Sequence, residues 1–293
     1  MRRLLTAALL LAPIAAFAAS PCKYEAPRNL QLDLAGVRSV QIDVNSQDLH
    51  LTGSDNARGL TLTGRACASE QAILDKLQVT QRREGDQLLI DIGNTGGFSF
   101  SLFGGSSYSS LDVTVQLPAN LPVTVRVGSG DADVSGVQQL QTSVGSGDLH
   151  VRQVSGKFGT SVGSGDAEVS GVGQLDSRVG SGDLNVRNVT GRFATRVGSG
   201  DVEAHDIGSL DLGSVGSGDF KAEGVKGDAR IGSIGSGDVT LRNVGGSVHA
   251  DTLGSGDLEV SDVGGDFSLG AKGSGDVSHN GVKGKVDVPR DDD

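Results

Sequence analysis

Val127-Gly128-Ser129-Gly130-Asp131-Ala132-Asp133-Val134-Ser135-Gly136-Val137 sets the pattern for more than half of this 293-residue chain. Gly-Ser-Gly-Asp occurs nine times, with its aspartates at Asp131, Asp148, Asp166, Asp183, Asp201, Asp219, Asp238, Asp257 and Asp276. The spacings are 17, 18, 17, 18, 18, 19, 19 and 19 residues. Self-similarity at a fixed short period is the sequence mark of a solenoid. Residues 128–162 laid over 163–197 agree at 24 of 35 positions, so a two-coil unit has been copied whole.

The residues around the motif say how each coil folds. One residue after the aspartate stands an apolar side chain, from Ala132 and Leu149 to Leu258 and Val277. Three after it stands an aliphatic, from Val134 to Val260, with His279 the exception. The residue between is polar throughout, from Asp133 to Ser278. That two-residue alternation predicts a short strand with one face inward. Another aliphatic follows six after the aspartate, from Val137 to Val282, and the step of three marks a bend. Leu140-Thr142-Val144, Phe158-Thr160-Val162, Leu175-Ser177-Val179 and Phe193-Thr195-Val197 then alternate again up to the next motif. Length changes are expected in the bends, because a slip inside a strand would turn its apolar face outward.

Helical coils are excluded by the recurring glycines and the β-branched apolar positions. One coil cannot bury its own apolar side, but stacked coils form continuous aliphatic columns. The fold expected is all-β: a parallel, right-handed β-helix or solenoid of 17–19-residue coils behind a less regular N-terminal β cap. At about 4.8 Å per rung, nine coils extend roughly 40 Å.

Composition narrows the function. The chain carries 46 Gly, no Trp and only 3% aromatic residues, which excludes a sugar site built on stacked Trp. Its formal net charge of −11 gives no electrostatic footprint for nucleic acid or an anionic membrane. Arg2-Arg3, the apolar run Leu4–Ala16 and Ala16-Phe17-Ala18-Ala19-Ser20 read as a secretory signal peptide cleaved after Ala18 or Ala19. Pro13 interrupts the run and it falls short of a membrane span, so no transmembrane anchor is expected. Pro21 before Cys22 speaks against lipidation. The expected location is therefore exported, periplasmic or secreted. Cys22 and Cys67 are the only cysteines, and an oxidising compartment lets them pair.

The organisation expected is a signal peptide over 1–19, a capping β region over 20–126, the repeat solenoid over 127–288 and an acidic tail over 289–293. Within the cap, Val37–Val44 alternates and Asn45–Leu51 reads as a degenerate first rung. Ser69–Leu77 is expected as one short helix capped by Ser69. Leu77–Gln81 and Leu88–Ile92 form a hairpin about Glu84-Gly85-Asp86, and Leu111–Pro118 is a strand entering the first regular coil.

Leu117-Pro118, then Val123-Thr124-Val125-Arg126-Val127-Gly128-Ser129-Gly130-Asp131, followed by further Gly-Ser-Gly-Asp rungs, resembles the bacterial putative adhesin family, whose domain is also called the putative autotransporter adhesin head domain, Head GIN. The similarity covers residues 37–288. It implies an extracytoplasmic β-helix whose biochemical role is mostly unassigned. The chain departs from surface-anchored adhesins in carrying no barrel, wall-sorting signal or anchor.

The nine aspartates raise the question of calcium, because calcium β-rolls place an aspartate-bearing turn on each side of an eighteen-residue coil. Here Lys157 and Arg192 stand where the second carboxylate belongs, and only Gly227-Asp228 and Gly265-Asp266 restore an acid. Calcium needs six to eight oxygens. The preferred reading has each aspartate binding backbone N–H groups of its own turn, with no cofactor and calcium as the alternative. The five histidines, His50, His150, His205, His249 and His279, stand at unrelated repeat positions and read as solvated strand residues. Regular carboxylates without a unique cluster argue against an enzyme; a glycan-active β-helix enzyme is the alternative. Phe98, Phe100, Phe103 and Tyr108 in a Gly-rich stretch form either a recognition loop or a strand capping the core. The function expected is a non-enzymatic, adhesin-like binding or structural module of the cell envelope. Its partner is an unidentified protein or glycan, and not nucleic acid.

Overall fold

The computed structural model describes residues 22–94 and 107–289. The expected signal peptide, Phe98, Phe100 and Phe103, and the tail after Pro289 lie outside the described residues. The chain folds as a parallel β-solenoid, each coil giving one strand to each of two stacked parallel sheets. The first sheet holds the strands that follow each aspartate, such as Ala132–Ser135, Phe220–Val225 and Leu258–Val263. The second holds those that precede each Gly-Ser-Gly-Asp, such as Leu140–Val144, Ala229–Ile234 and Val248–Leu253. In the middle coils one long strand, as in Leu184–Val197, runs through the bend and serves both.

Register keeps like residues in columns. Leu149 lies opposite Ala167, Ala167 opposite Leu184, and Leu184 opposite Val202, all buried. Across the core, the coils alternate in bulk. Ala132 with Leu140 and Ala167 with Leu175 make small layers, while Leu149 with Phe158 and Leu184 with Phe193 make large ones. Alternating layers interdigitate at native density, which explains why two coils were copied as one unit. Phe220 is compensated by Ala229 in its own coil.

The bend after each first strand is set by one residue in the left-handed region. Gln153, Asn188, Asp206, Asn243 and Asp262 have φ between 56° and 59°, and Gly136, Gly171, Gly224 and Gly281 take the same column. That conformation suits Gly and, less well, Asn and Asp. Length changes are not confined to the bends, as the repeat arithmetic suggested. Thr195 opposes Leu212 but Arg196 opposes Ser214, so Gly213 is an extra residue bulged inside the second strand. A bulge restores the phase, and Val215 again points inward beside Val197.

The N-terminal region does not stack in sequence order. Ser39–Val44 and Asp48–Ser54 form a rung, as expected of 45–51. That rung lies between the rung of Gln87–Asn94 and Ser109–Pro118 on one side and the first regular coil on the other. Ser109–Pro118 therefore does not enter the first coil directly; the chain passes over an intervening rung. Leu60–Ala68 pairs antiparallel with Ser109–Pro118, and Leu77–Glu84 with Gln87–Asn94, so both outer edges are covered. The helix is one turn, Gln71–Leu74, and its N-cap is Glu70 without a side-chain cap. Ser69 is engaged elsewhere, with its hydroxyl accepting the Tyr108 N–H at 3.2 Å.

Candidate functional site

The Gly-Ser-Gly turns stack so closely that the second glycine of each has no room for a side chain. A Cβ on Gly182 would lie 1.8 Å from the carbonyl oxygen of Gly165 one rung away. This contact holds the following aspartates in a single file along one edge. The file begins earlier than the motif count suggests, because Asp112, Asp48 and Asp131 occupy successive rungs.

Each carboxylate reaches the next rung and not its own turn, which corrects the local-turn reading. Asp131 Oδ1 accepts the Asp148 N–H at 3.0 Å, Asp201 that of Asp219 at 3.0 Å, and Asp238 that of Asp257 at 2.8 Å. The same link joins every other neighbouring pair from Asp48 to Asp276, at 3.1 to 3.4 Å. Unit charges at a rung spacing of about 4.8 Å repel by roughly 0.9 kcal/mol in water before screening. A hydrogen bond to a charged acceptor contributes about 1.5 kcal/mol or more, less at an exposed corner, and offsets that repulsion. A shorter ladder runs along the opposite bend: Ser247 donates N–H to Asp228 at 2.9 Å, Asp266 to Ser247 Oγ at 3.1 Å, and Lys285 to Asp266 at 2.7 Å. Among the described residues no three His, Cys, Asp or Glu side chains gather where they could hold a metal ion.

The outward face of the first sheet carries the charges. Once the early rung is placed, His50, Asp133, His150 and Glu168 fall in one row. His50 and His150 therefore share one repeat position, two after the aspartate, while His205 stands four after it. His50 Nδ1 lies 3.0 Å from Asp133, His150 Nδ1 lies 3.3 Å from Glu168 without hydrogen-bond alignment, and His205 Nε2 lies 3.1 Å from Glu203. Arg152 approaches Asp133 at 3.8 Å, Arg187 approaches Glu168 at 3.5 Å, and Arg242 meets Glu259 at 3.2 Å. Sequence reasoning missed this row because it depends on the interleaved rung. Two shallow concavities open on it. One of about 240 Å³ is lined by His50, Thr52, Asp133, Ser135, His150 and Arg152. The other, of about 350 Å³, is lined by Glu203, His205, Lys221, Glu223, Thr240 and Arg242.

His249 sits on the second sheet beside Asp251 and Ser268, and His279 faces the Phe267 ring at 5.9 Å in the last coil. The cysteines meet in the cap, where Cys22 is bonded to Cys67 beside the paired strands Tyr24–Pro27 and Leu60–Ala68. Tyr108 is exposed, but it is tied down: its hydroxyl accepts the Lys23 N–H at 3.0 Å and its carbonyl the Ser69 N–H at 3.0 Å. Lys157 and Arg192 occupy the bend opposite the aspartates, where Arg192 reaches Asp211 at 3.6 Å.

A family model described as Toastrack DUF4097 matches residues 37–211. No curated protein matches the chain. Similar solved structures include a "putative adhesin" from Parabacteroides merdae, 14% identical over 92% of this chain and 97% of that one at a TM-score of 0.41. Another, a "putative lipid binding protein" from Parabacteroides distasonis, is 17% identical over 90% and 97% at 0.41. A "putative adhesin" from Bacteroides fragilis is 14% identical over 92% and 99% at 0.36.

Proposed function

The chain belongs to the Toastrack DUF4097 family, and on that footing we propose that it is an exported, non-enzymatic β-solenoid acting as an adhesin-like binding module of the cell envelope. The observation that carries this reading is the repetition of the outward ionic pairs. His–carboxylate and Arg–carboxylate contacts recur from rung to rung on one flat face. A catalytic site needs one acid–base pair set apart from the rest, whereas a recognition surface uses an array. Export rests on the Arg2-Arg3 start and the apolar run before Ala18-Ala19. Among the described residues no helix is long and apolar enough to cross a membrane. The resemblance to the Head GIN family supports the same placement outside the cytoplasm.

Two measurements test the proposal. N-terminal sequencing of the protein from the producing cell should begin at Ala19 or Ser20, and a product beginning at Met1 would refute export. The folded mature chain, immobilised, should retain material from an envelope fraction that the heat-unfolded chain does not. Equal retention by both forms, or none by either, would refute a binding role.

A further inference from the structure

We propose that the outward face of the second sheet, across the strands Leu140–Val144 to Val202–Val215, binds an anionic polysaccharide. This gives a ligand class to the binding module proposed above and rests on that reading.

Charge singles out the face. On a chain of net charge −11, Lys157, Arg178, Arg192 and Arg196 lie on three successive coils. Register sets Arg178 directly opposite Arg196, flanked in the same row by Ser161 and Ser214. Arg192 is answered by Asp211. Lys157, Arg178 and Arg196 make no ion pair among the described residues, and Asp176 is the one acid between them. On the first sheet, by contrast, Arg152, Arg187 and Arg242 each have a carboxylate on a neighbouring rung. Like charges directly opposite one another weaken a sheet, and the same row is filled by serine at Ser143 and Ser161 without that penalty. A carboxylate or phosphate held by both guanidinium forks removes the repulsion and matches their planar donors.

Shape and donor chemistry point to a sugar acid. Beside the arginines lies a concavity of about 320 Å³ whose polar lining is Thr124, Gln139, Gln141, Lys157 and Asp176. Gly159 opens it, since a Cβ there would lie 2.1 Å from Gln141 Oε1. Two amides, a hydroxyl and the Asp176 carboxylate suit the hydroxyls of a sugar ring, and Lys157 suits its acid group. Gly213 lets Arg196 lie along the axis, for a Cβ there would lie 3.0 Å from Arg196 Nε. The donors thus continue from rung to rung, as a linear polymer requires. A lipid surface fits poorly, because the exposed large apolar side chains among the described residues are Tyr108 and Val286, neither on this face.

The test uses the mature full chain and fluorescein-labelled carboxymethyl dextran, with unmodified dextran as the uncharged control, followed by fluorescence polarisation. The wild type should bind the carboxymethylated polymer, should not bind dextran, and should weaken as salt rises. R178Q/R196Q, with a native circular dichroism spectrum, should bind about tenfold more weakly, and K157Q should also weaken, while R58Q/K283Q, which removes two exposed positive charges away from this face, should stay within about twofold. Unchanged binding by R178Q/R196Q, or binding to phosphatidylglycerol vesicles but not to the polymer, would overturn the assignment. If the wild type ignores carboxymethyl dextran yet still retains envelope material, the ligand class falls and the binding module stands. If it retains nothing, the module itself falls.

Discussion

Asp131 donates its backbone N–H to Oδ1 of Asp48 at 3.4 Å, across 83 residues of chain. The contact exists because the rung of 39–54 is slotted beneath the first Gly-Ser-Gly-Asp coil, while the later strand Ser109–Pro118 lies on its far side. The cap and the solenoid therefore share one column of carboxylates and one stack of backbone.

The closeness of that stack predicts the effect of one methyl group. In G182A the new Cβ meets the Gly165 carbonyl, and no rotamer can move it away. Urea denaturation should show a loss of about 3 kcal/mol, while S181A at the exposed position beside it stays within about 0.5 kcal/mol. A G182A midpoint equal to that of the wild type would contradict the stacked turns.

Asp183 separates the charge of the column from its hydrogen bonding. Its Oδ1 accepts the Asp201 N–H at 3.2 Å. D183N keeps an acceptor and removes one repulsive charge, so it should be at least as stable as the wild type. D183A loses the acceptor and should be about 1 kcal/mol less stable. Because one oxygen of each carboxylate is engaged this way, melting should be indifferent to millimolar calcium or to a chelator. A rise of many degrees with calcium would show that the file holds cations.

Inside the core, Thr142 donates its hydroxyl to Thr160 at 2.7 Å, and both are buried. T160V alone leaves a buried hydroxyl unmatched and should cost about 1–3 kcal/mol, whereas T142V/T160V should be nearly neutral. If the double variant is as unstable as the single one, the hydroxyl pair is not what holds this part of the column.

Gln153 is the poorest fit to the left-handed bend, with φ of 58° where four other coils use glycine. Q153G should gain about 0.5–1 kcal/mol, the relief of the left-handed conformation less glycine's chain entropy. Thermal and urea midpoints should both rise, and a fall in either would show that the Gln153 side chain contributes more than its backbone strain costs.

In the cap, the Arg65 guanidinium holds the Glu25 carboxyl below the usual carboxylate range, chiefly through their hydrogen bond. A lowered value means that the pair contributes fully above the ordinary carboxylate range and is lost as pH falls through the lowered one. Protection factors of the Tyr24, Glu25 and Ala26 amides, taken against the intrinsic exchange rate at each pH, should therefore fall on acidification in the wild type, by a modest factor because both groups are exposed. R65Q should remove that pH dependence, and an unchanged profile would show that the pair does not hold the strand.

The repeat made the columns legible, because period-two alternation and an invariant corner constrain both sheets at once. The bend was legible as a step of three, but its cause, one left-handed residue per coil, lay in the run Gly136, Gln153, Gly171, Asn188 and Asp206, which reads as ordinary polar surface until its column is traced. Rung order was not legible, since Asn45-Ser46-Gln47-Asp48 lacks both glycines of the motif and alternation says nothing about which strand lies beneath which. The histidine row was hidden for the same reason, as His50 meets Asp133 only through that order. Ser69 shows a different limit. A serine before a short amphipathic run looks like a cap, yet a tertiary contact with Tyr108 claimed its hydroxyl.

The interleaved start makes the two ends of the molecule unequal under gene duplication. Copying or deleting a coil downstream of Asp201 changes only how many times a nearest-neighbour contact recurs, so the shaft can lengthen or shorten in steps of one winding. Any such change between Ser39 and Val127 would separate strands that close on each other across the chain. The fold therefore tolerates added windings in the shaft but not in the base.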